Sequence, residues 1–299
     1  MKRIVSISLG SSKRNHKAEV QFKDMVFSVE RIGTDGDMNK MVSMISELDG
    51  QVSAFGLGGI DLYLGTPVHR YTIRDGKKMV SAAKKTPIVD GRCLENTLER
   101  MTINYLNKTL GWDFAGKTAL LTSAMDRWGM AEELEAAGCK LEIGDLIFAL
   151  GVPISMHSLK ALNRVARVLA PIAMRLPFSV LYPTGKKQES SDGKFSRYFK
   201  DKDIIAGDYN YINKHMPPDM TGQIVITNTI TAQDVEELRK RGVKTLVTST
   251  PELSGRSFGT NVMEALLVAY AGAGAALTNE EYNRLLAELD FTPRIVYLN

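Results

Sequence analysis

A chain of 299 residues that is 44% hydrophobic and 24% charged has the composition of an ordinary soluble globular protein, long enough for two domains or one large one. Its net charge of +4 suits a small anionic ligand and is too weak to argue for nucleic acid. Cys93 and Cys139 form no CxxC pair, the histidines share no ligand spacing, and no apolar run is long enough to cross a bilayer. A metal site, a disulfide scaffold and a membrane span are therefore not expected, and a reducing cytoplasm is.

In chain order, residues 4–9 alternate as a strand, and their apolar run is too short for a signal peptide. Gly10-Ser11-Ser12-Lys13-Arg14 follows, readable as an anion cradle or a solvated loop. Val20 to Ile32 reads as a hairpin turning at Lys23-Asp24. Met41, Val42, Met44, Ile45 and Leu48 lie at helix spacing, predicting a helix over 38–48 with a capping loop at 33–37 and a stop at Asp49-Gly50. Val52 to Leu57 is a strand that ends at Gly58-Gly59-Ile60-Asp61. Ligands bind beyond the carboxyl ends of strands in open α/β sheets, so Gly58, Gly59 and Asp61 are candidate substrate-binding residues. A tight turn with a capping aspartate is the other reading. A short strand over 68–74, a basic helix or loop over 77–85 and a strand into Asp90-Gly91 come next. Arg92 to Leu110 is a long amphipathic helix, and Trp112 to Gly116 is a linker.

The second half alternates strand and helix, which predicts a parallel sheet. Its opening unit is a strand over Thr118–Thr122, a turn at Ser123-Ala124-Met125-Asp126-Arg127-Trp128-Gly129, and a helix. Such a turn lets a pyrophosphate sit on the helix N-terminus when glycines line it. Here only Gly129 keeps a glycine place. Either Cys139–Ile143 or Asp145–Leu150 supplies the next strand. Ser158–Leu176 is a helix with a kink expected at Pro171, Phe178–Tyr182 an apolar strand or extended piece, and Pro183–Gly193 a polar, basic, lid-like loop. Strands over 203–206, 224–227 and 243–248, a helix from Thr231, an apolar helix over 259–271, a helix over 280–289 and a strand over 294–298 complete the chain. The fold class is α/β: an N-terminal α/β substrate domain (1–112), a Rossmann-like parallel-sheet domain (113–275), and a C-terminal helix and strand packing back (276–299).

Ser123, Asp208, Asn228 and Thr250 fall at the ends of successive strands and converge on one rim if the sheet is parallel. With Asp126, Arg127 and Gly129 they form the candidate cofactor site. Ser254 to Asn261 could cradle an anion before a helix, which makes Arg256 and Asn261 further substrate-binding candidates, or it is a helix-entry loop. Tyr182 and Lys186 have the Tyr-x-x-x-Lys spacing, but Pro183 and Gly185 argue against the helix that pair requires. The basic stretch from Lys186 to Lys202 reads as a cover for an anion or as a solvated loop.

Val89-Asp90-Gly91 before a long helix, Gly116-Lys117 before the strand–turn–helix, Thr248-Ser249-Thr250-Pro251 at a strand end, and the helix from Asn261-Val262-Met263 together resemble the shikimate/quinate dehydrogenase layout. In layout the whole chain resembles bacterial proteins labelled quinate 5-dehydrogenase. The resemblance implies an NAD or NADP cofactor, Asp90 as substrate-binding and catalytic aspartate, and Ser123, Asp126 and Gly129 in the glycine places. The family's Asn-Val-Thr-x-Pro-x-Lys motif is missing; Lys85 near Asp90 is the candidate proton shuttle. Aspartate at 126 is a marked departure, because like charges about 4 Å apart cost roughly 4 kcal/mol at an effective dielectric of 20.

Two functions follow as expectations, with a transferase using the same rim for a phosphorylated ligand as a third option. One is an NAD(P)-dependent oxidoreductase acting on a small hydroxy acid. The other is a non-catalytic or regulatory protein holding a small anionic metabolite on a degenerate Rossmann fold, and the altered turn favours it. Neither nucleic acid nor a membrane is an expected partner, and a homo-oligomer is compatible with either function.

Overall fold

In a computed structural model all of residues 1–299 are described except 61, 66–69, 73, 174–192, 229, 251, 254–255 and 258. The first part runs β1 (Lys2–Ser8), β2 (His16–Phe22), β3 (Met25–Gly33), α1 (Met38–Leu48), β4 (Ala54–Gly58), β5 (Tyr63–Gly65), β6 (Arg70–Thr72), α2 (Arg74–Ala82), β7 (Ile88–Val89) and α3 (Arg92–Asn104). The strand order of its main sheet is β2-β3-β1-β4-β7. β1 pairs in parallel with β3 and β4, and β4 with β7, whereas β2 is antiparallel to β3. Ile4 faces Val29 and Ala54 across this ladder. The alternating pattern of β2 and β3 and the turn at 23–24 make that hairpin. In α1 the apolar stripe buries Met41 and Ile45, and Asp37 caps it by accepting from the Lys40 N–H.

The second part runs β8 (Thr118–Leu121), α4 (Trp128–Ala136), β9 (Lys140–Ile143), α5 (Asp145–Leu150), α6 (Leu159–Ala173), β10 (Ile204–Ala206), α7 (Tyr209–His215), β11 (Ile224–Thr227), α8 (Ala232–Lys240), β12 (Thr245–Thr248), the small ribbon β13 (Glu252–Leu253) and β14 (Arg256–Ser257), α9 (Thr260–Ala271), α10 (Asn279–Glu288) and β15 (Arg294–Tyr297). Its sheet has the order β15-β12-β11-β10-β8-β9, parallel throughout except for β15. Of the two candidates for the strand after β8, 140–143 is the strand and 145–150 the helix. Asp145 opens that helix, and Gly151 closes it in the left-handed conformation.

Each sheet is covered on both faces. One face of the first sheet packs on α3, α9 and α10 through Phe27, Leu94, Leu98, Leu266 and Tyr282; the other packs α1 and α2 through Val5, Phe55, Met41 and Met79. The second sheet lies between α4 and α6 on one side and α7, α8 and the Phe148–Phe195–Phe199 aromatics on the other. Strands buried on both faces read as continuous apolar runs, and each such side chain contributes about 1.5–3 kcal/mol. The last part of the chain serves both sheets. Helix α9 packs on β1, β4 and β7, α10 packs on α3, and β15 closes the edge of the second sheet beside β12. No helix among the described residues is long and apolar enough to cross a membrane.

Candidate functional site

The strand order of the second sheet reverses between β8 and β10, so the crevice beyond their carboxyl ends is the place where such sheets bind ligands. Ser123, Asp208 and Asn228 meet there. The Asp208 N–H donates to Ser123 Oγ at 3.1 Å, and Asn228 Nδ2 donates to Asp208 Oδ2 at 3.1 Å. Thr250 is buried just after the end of β12, one strand further along the same edge.

The turn that would hold a pyrophosphate is filled by the protein itself. The N–H groups of Ala124 and Met125 donate to the two carboxylate oxygens of Asp145 at 2.9 and 2.8 Å. Burial pushes the Asp145 carboxyl up to about 7, against the pull of those two donors. Asp126, in the second glycine place, pairs with Arg92 of α3 at 2.8 Å. Gly129 is needed for packing: a Cβ there would stand 2.5 Å from Asn96 Oδ1 and 2.6 Å from the Asn96 carbonyl of α3. These residues do not fit a dinucleotide pyrophosphate, because its anionic position already carries a carboxylate.

Arg127, expected at the phosphate, is instead the centre of a buried cluster. It pairs with Glu95 and, at 3.2 Å, with Glu99, both of α3, and with Asp208 at 2.7 Å, while its own side chain is only 7% exposed. One guanidinium cannot neutralise three carboxylates. Glu99 is the most deeply buried of them, and burial holds its carboxyl well above the ordinary range. Arg100 extends the seam to Glu132 and Glu133 of α4. The rim therefore closes on itself and clamps α3 to the second sheet. Among the described residues, the Arg127 guanidinium is committed to this seam and not to a ligand.

An open cleft of about 390 Å³ lies elsewhere, at the end of β7. Asp90, Cys93, Glu264, Leu62, Lys84 and Lys85 are among its lining residues. Asp90 accepts from the Leu62 N–H at 2.8 Å and the Arg92 N–H at 3.1 Å. Glu264, buried in α9, accepts from the Gly91 N–H at 2.5 Å and from the Tyr282 hydroxyl at 2.6 Å. Its carboxyl is raised to about 8, first by burial and then by the neighbouring charge of Asp90. Gly91 has φ +95, and a Cβ there would stand 2.6 Å from the Asn261 nitrogen, so the tight entry to α3 requires glycine. The loop that carries the lysines is pinned by Asp49, which accepts from the N–H groups of Lys84, Lys85 and Thr86 at 2.9 to 3.0 Å. Burial acts against them, but these donors hold the Asp49 carboxyl down at about 2.

The structure thus brings Asp90 and Lys85 to one cleft, though the Lys85 side chain runs over Gly50, with Cδ 3.1 Å from where a Cβ of that glycine would be. Gly58 and Asn261 also meet: Asn261 Nδ2 donates to Ser6 Oγ at 2.9 Å and lies 3.4 Å from where a Gly58 Cβ would be. Gly59 turns beside Leu9 and Gly10. The backbone of Arg256 lies in the β13–β14 ribbon. Asp61, the side chain of Arg256, Tyr182, Lys186 and nearly all of the 183–193 loop lie outside the described residues. In the 10–14 loop the Ser12 N–H donates to Asp35 and the Lys13 N–H to Ser11 Oγ, which leaves those two donors no anion to cradle. Sequence reasoning missed Glu264. The signal was a lone carboxylate in an otherwise apolar, buried helix, Thr-Asn-Val-Met-Glu-Ala-Leu-Leu-Val-Ala-Tyr-Ala.

No curated protein matches this chain. A galactofuranose-binding protein is 10% identical, with 99% of this chain and 95% of that one covered and a TM-score of 0.39. A Caulobacter myo-inositol-binding protein is 11% identical, with coverages of 99% and 93% and a TM-score of 0.39. A putative malic enzyme (malate oxidoreductase) is 13% identical, with coverages of 96% and 76% and a TM-score of 0.42. Sugar- and inositol-binding proteins lead this run of similarities, and quinate or shikimate dehydrogenases do not. The resemblance to quinate 5-dehydrogenase, and with it the oxidoreductase reading, is corrected: these similarities are to sugar- and inositol-binding proteins and a malic enzyme and not to quinate or shikimate dehydrogenases, and Asp145 fills the turn on which that chemistry depends. A model described as a domain of unknown function, DUF8753, matches residues 3–90. A second, also described as a domain of unknown function, DUF8754, matches residues 93–298, and the chain belongs to that family.

Proposed function

We propose that this chain is a non-catalytic binding protein that holds a small polar metabolite in the cleft at the end of β7. One observation carries the proposal: the cleft, at about 390 Å³, falls in the range of small-molecule sites, and its acids are fixed by structural donors. Asp90 is tied to two backbone N–H groups, and Glu264 to Gly91 and Tyr282. Groups held in this way shape and orient a site. They are poorly placed to trade protons with a substrate. The lysines at the mouth favour a ligand with at least one anionic group.

The test is a thermal-melt screen of the whole protein against hydroxy acids, amino acids, polyols and sugar phosphates. The control is Ala276→Trp, which places a large ring at an exposed lining position and leaves the core untouched. A saturable rise in melting temperature that the control lacks supports the proposal. Stabilisation of equal size in both proteins, or by no compound of the panel, refutes it.

A further inference from the structure

A strand at the edge of a sheet offers a row of backbone donors and acceptors to any extended chain, and proteins blunt such edges with charge, proline, shortness or a covering segment. Three of the four outer strands of the two main sheets are managed in this way. β2 presents Lys17, Glu19 and Gln21 as exposed residues along its length. β7 is two residues long. β9 is covered where Met156 and Ile143 exchange backbone hydrogen bonds in both directions, at 2.7 and 3.0 Å. The fourth outer strand is β15. Its centre, Ile295, Val296 and Tyr297, carries no charge, and Tyr297 is 69% exposed.

The hydrogen bonds of its neighbour show which groups of β15 point outward. The Ser249 N–H donates to the Thr227 carbonyl of β11 at 2.9 Å, which turns the odd-numbered residues of β12 toward β11 and the even-numbered ones toward β15. Leu246 and Thr248 lie opposite Val296 and Arg294, so the backbone groups of that pair are spent inside the sheet. Leu298 faces the same way, its N–H donating to the Lys244 carbonyl at 2.9 Å. The N–H and C=O groups of Ile295 and Tyr297 therefore face outward, where no further strand among the described residues takes them up. The edge is also preformed. Leu298 is buried, and Asn299 Nδ2 donates to the carbonyls of Arg239 and Val243 at 3.1 and 2.9 Å. Ile295 packs toward α4 and α6 with Tyr297 on the same face, and Val296 packs toward α7 and α8.

This edge complements itself. A two-fold axis perpendicular to a sheet keeps each face on its own side, so residues that meet across it are an even number apart. With the axis at Val296, Ile295 lies opposite the partner's Tyr297 as a hydrogen-bonded pair, and each outward N–H meets an outward carbonyl. Val296 meets its own copy in the closer, non-hydrogen-bonded pair between them. Aromatic with β-branched residues are favourable cross-strand neighbours. Arg294 falls opposite the partner's Leu298, so no like charges are brought together. An axis at Ile295 instead sets Tyr297 against Pro293, which has no N–H to give.

We propose that β15 is the surface through which two copies of this chain associate, antiparallel and centred on Val296, so that their second sheets run on as one. The experiment is sedimentation of the full chain from nanomolar to high micromolar concentration, with amide hydrogen exchange at both ends of that range. The expected result is an equilibrium that reaches twice the 33.0 kDa of one chain, with the Ile295 and Tyr297 amides slowed about tenfold or more in the dimer. Tyr297→Pro removes an outward N–H and none that β12 uses; Tyr297→Lys keeps the backbone and places a charge on the edge. Each weakens association by about tenfold or more and leaves the melt in dilute solution unchanged. If proline disturbs the fold, the lysine variant and the exchange rates decide the matter. A chain that stays monomeric across the range overturns the proposal. So does a dimer that survives the substitutions, or one in which the two amides stay unprotected. Neither result bears on the cleft.

Discussion

Replacing Glu264 with glutamine isolates the buried carboxyl at the floor of the cleft. Glutamine keeps the shape and acts as the protonated acid does: its oxygen accepts from the Gly91 N–H, and its amide can donate to the Tyr282 oxygen. In the native protein the carboxyl rises from an ordinary 4.5 to about 8, so the folded chain holds a proton that the unfolded chain releases between those values. Stability from this group is therefore greatest below pH 4.5 and is lost as the pH climbs to 8. At about 1.4 kcal/mol per pH unit the full span amounts to roughly 5 kcal/mol, of which about 3.5 kcal/mol falls between pH 5 and pH 8. Urea unfolding of the native protein and Glu264→Gln across that interval measures the difference. The prediction is near-equal stability at the acid end and a variant more stable by about 3 kcal/mol at the alkaline end. The other titrating carboxyls, Asp145 and Glu99 among them, are common to both proteins and cancel. Parallel pH profiles would refute the idea that burial holds a proton on Glu264.

Three further outcomes are expected. Asp145→Ala strands the N–H groups of Ala124 and Met125 and costs roughly 1–3 kcal/mol for each; added inorganic phosphate restores part of the loss in a urea melt, because it supplies the missing anion. Arg127→Met removes the guanidinium that Glu95, Glu99 and Asp208 share and costs about 3–5 kcal/mol at neutral pH, a loss that shrinks in acid as the carboxyls protonate. Gly91→Ala must hold a left-handed backbone at a cost of roughly 1–3 kcal/mol and also strikes the Asn261 nitrogen. Its melting temperature falls further than that of Gly111→Ala, where φ is also positive but a Cβ meets nothing.

Local pattern carried much of the architecture. The stripe from Met41 to Leu48, with Asp37 ahead of it, sets both ends of α1. Thr231 and Thr278 cap their helices through boxes with Asp234 and Glu281, a signal that lies within four residues. The meeting of Ser123, Asp208 and Asn228 follows from strand ends in a parallel sheet. What the rim does was not legible, because the partners of Arg127 come from α3, some thirty residues earlier, and the anion at the turn is a side chain from after β9. Long-range pairs of this kind leave no spacing to read. The cleft is half legible: Asp90 and Lys85 stand out by their place in the chain, though for a cofactor chemistry whose turn Asp145 fills, while Glu264 is hidden inside an apolar helix.

The most direct measurement is to denature the protein as purified and identify any small molecule it releases, side by side with Ala276→Trp. A cleft that binds a metabolite predicts a compound released near stoichiometrically by the native chain and missing from the variant. The same compound released in equal amount by both proteins would contradict the account, because the ligand would then sit somewhere other than beside Asp90 and Glu264.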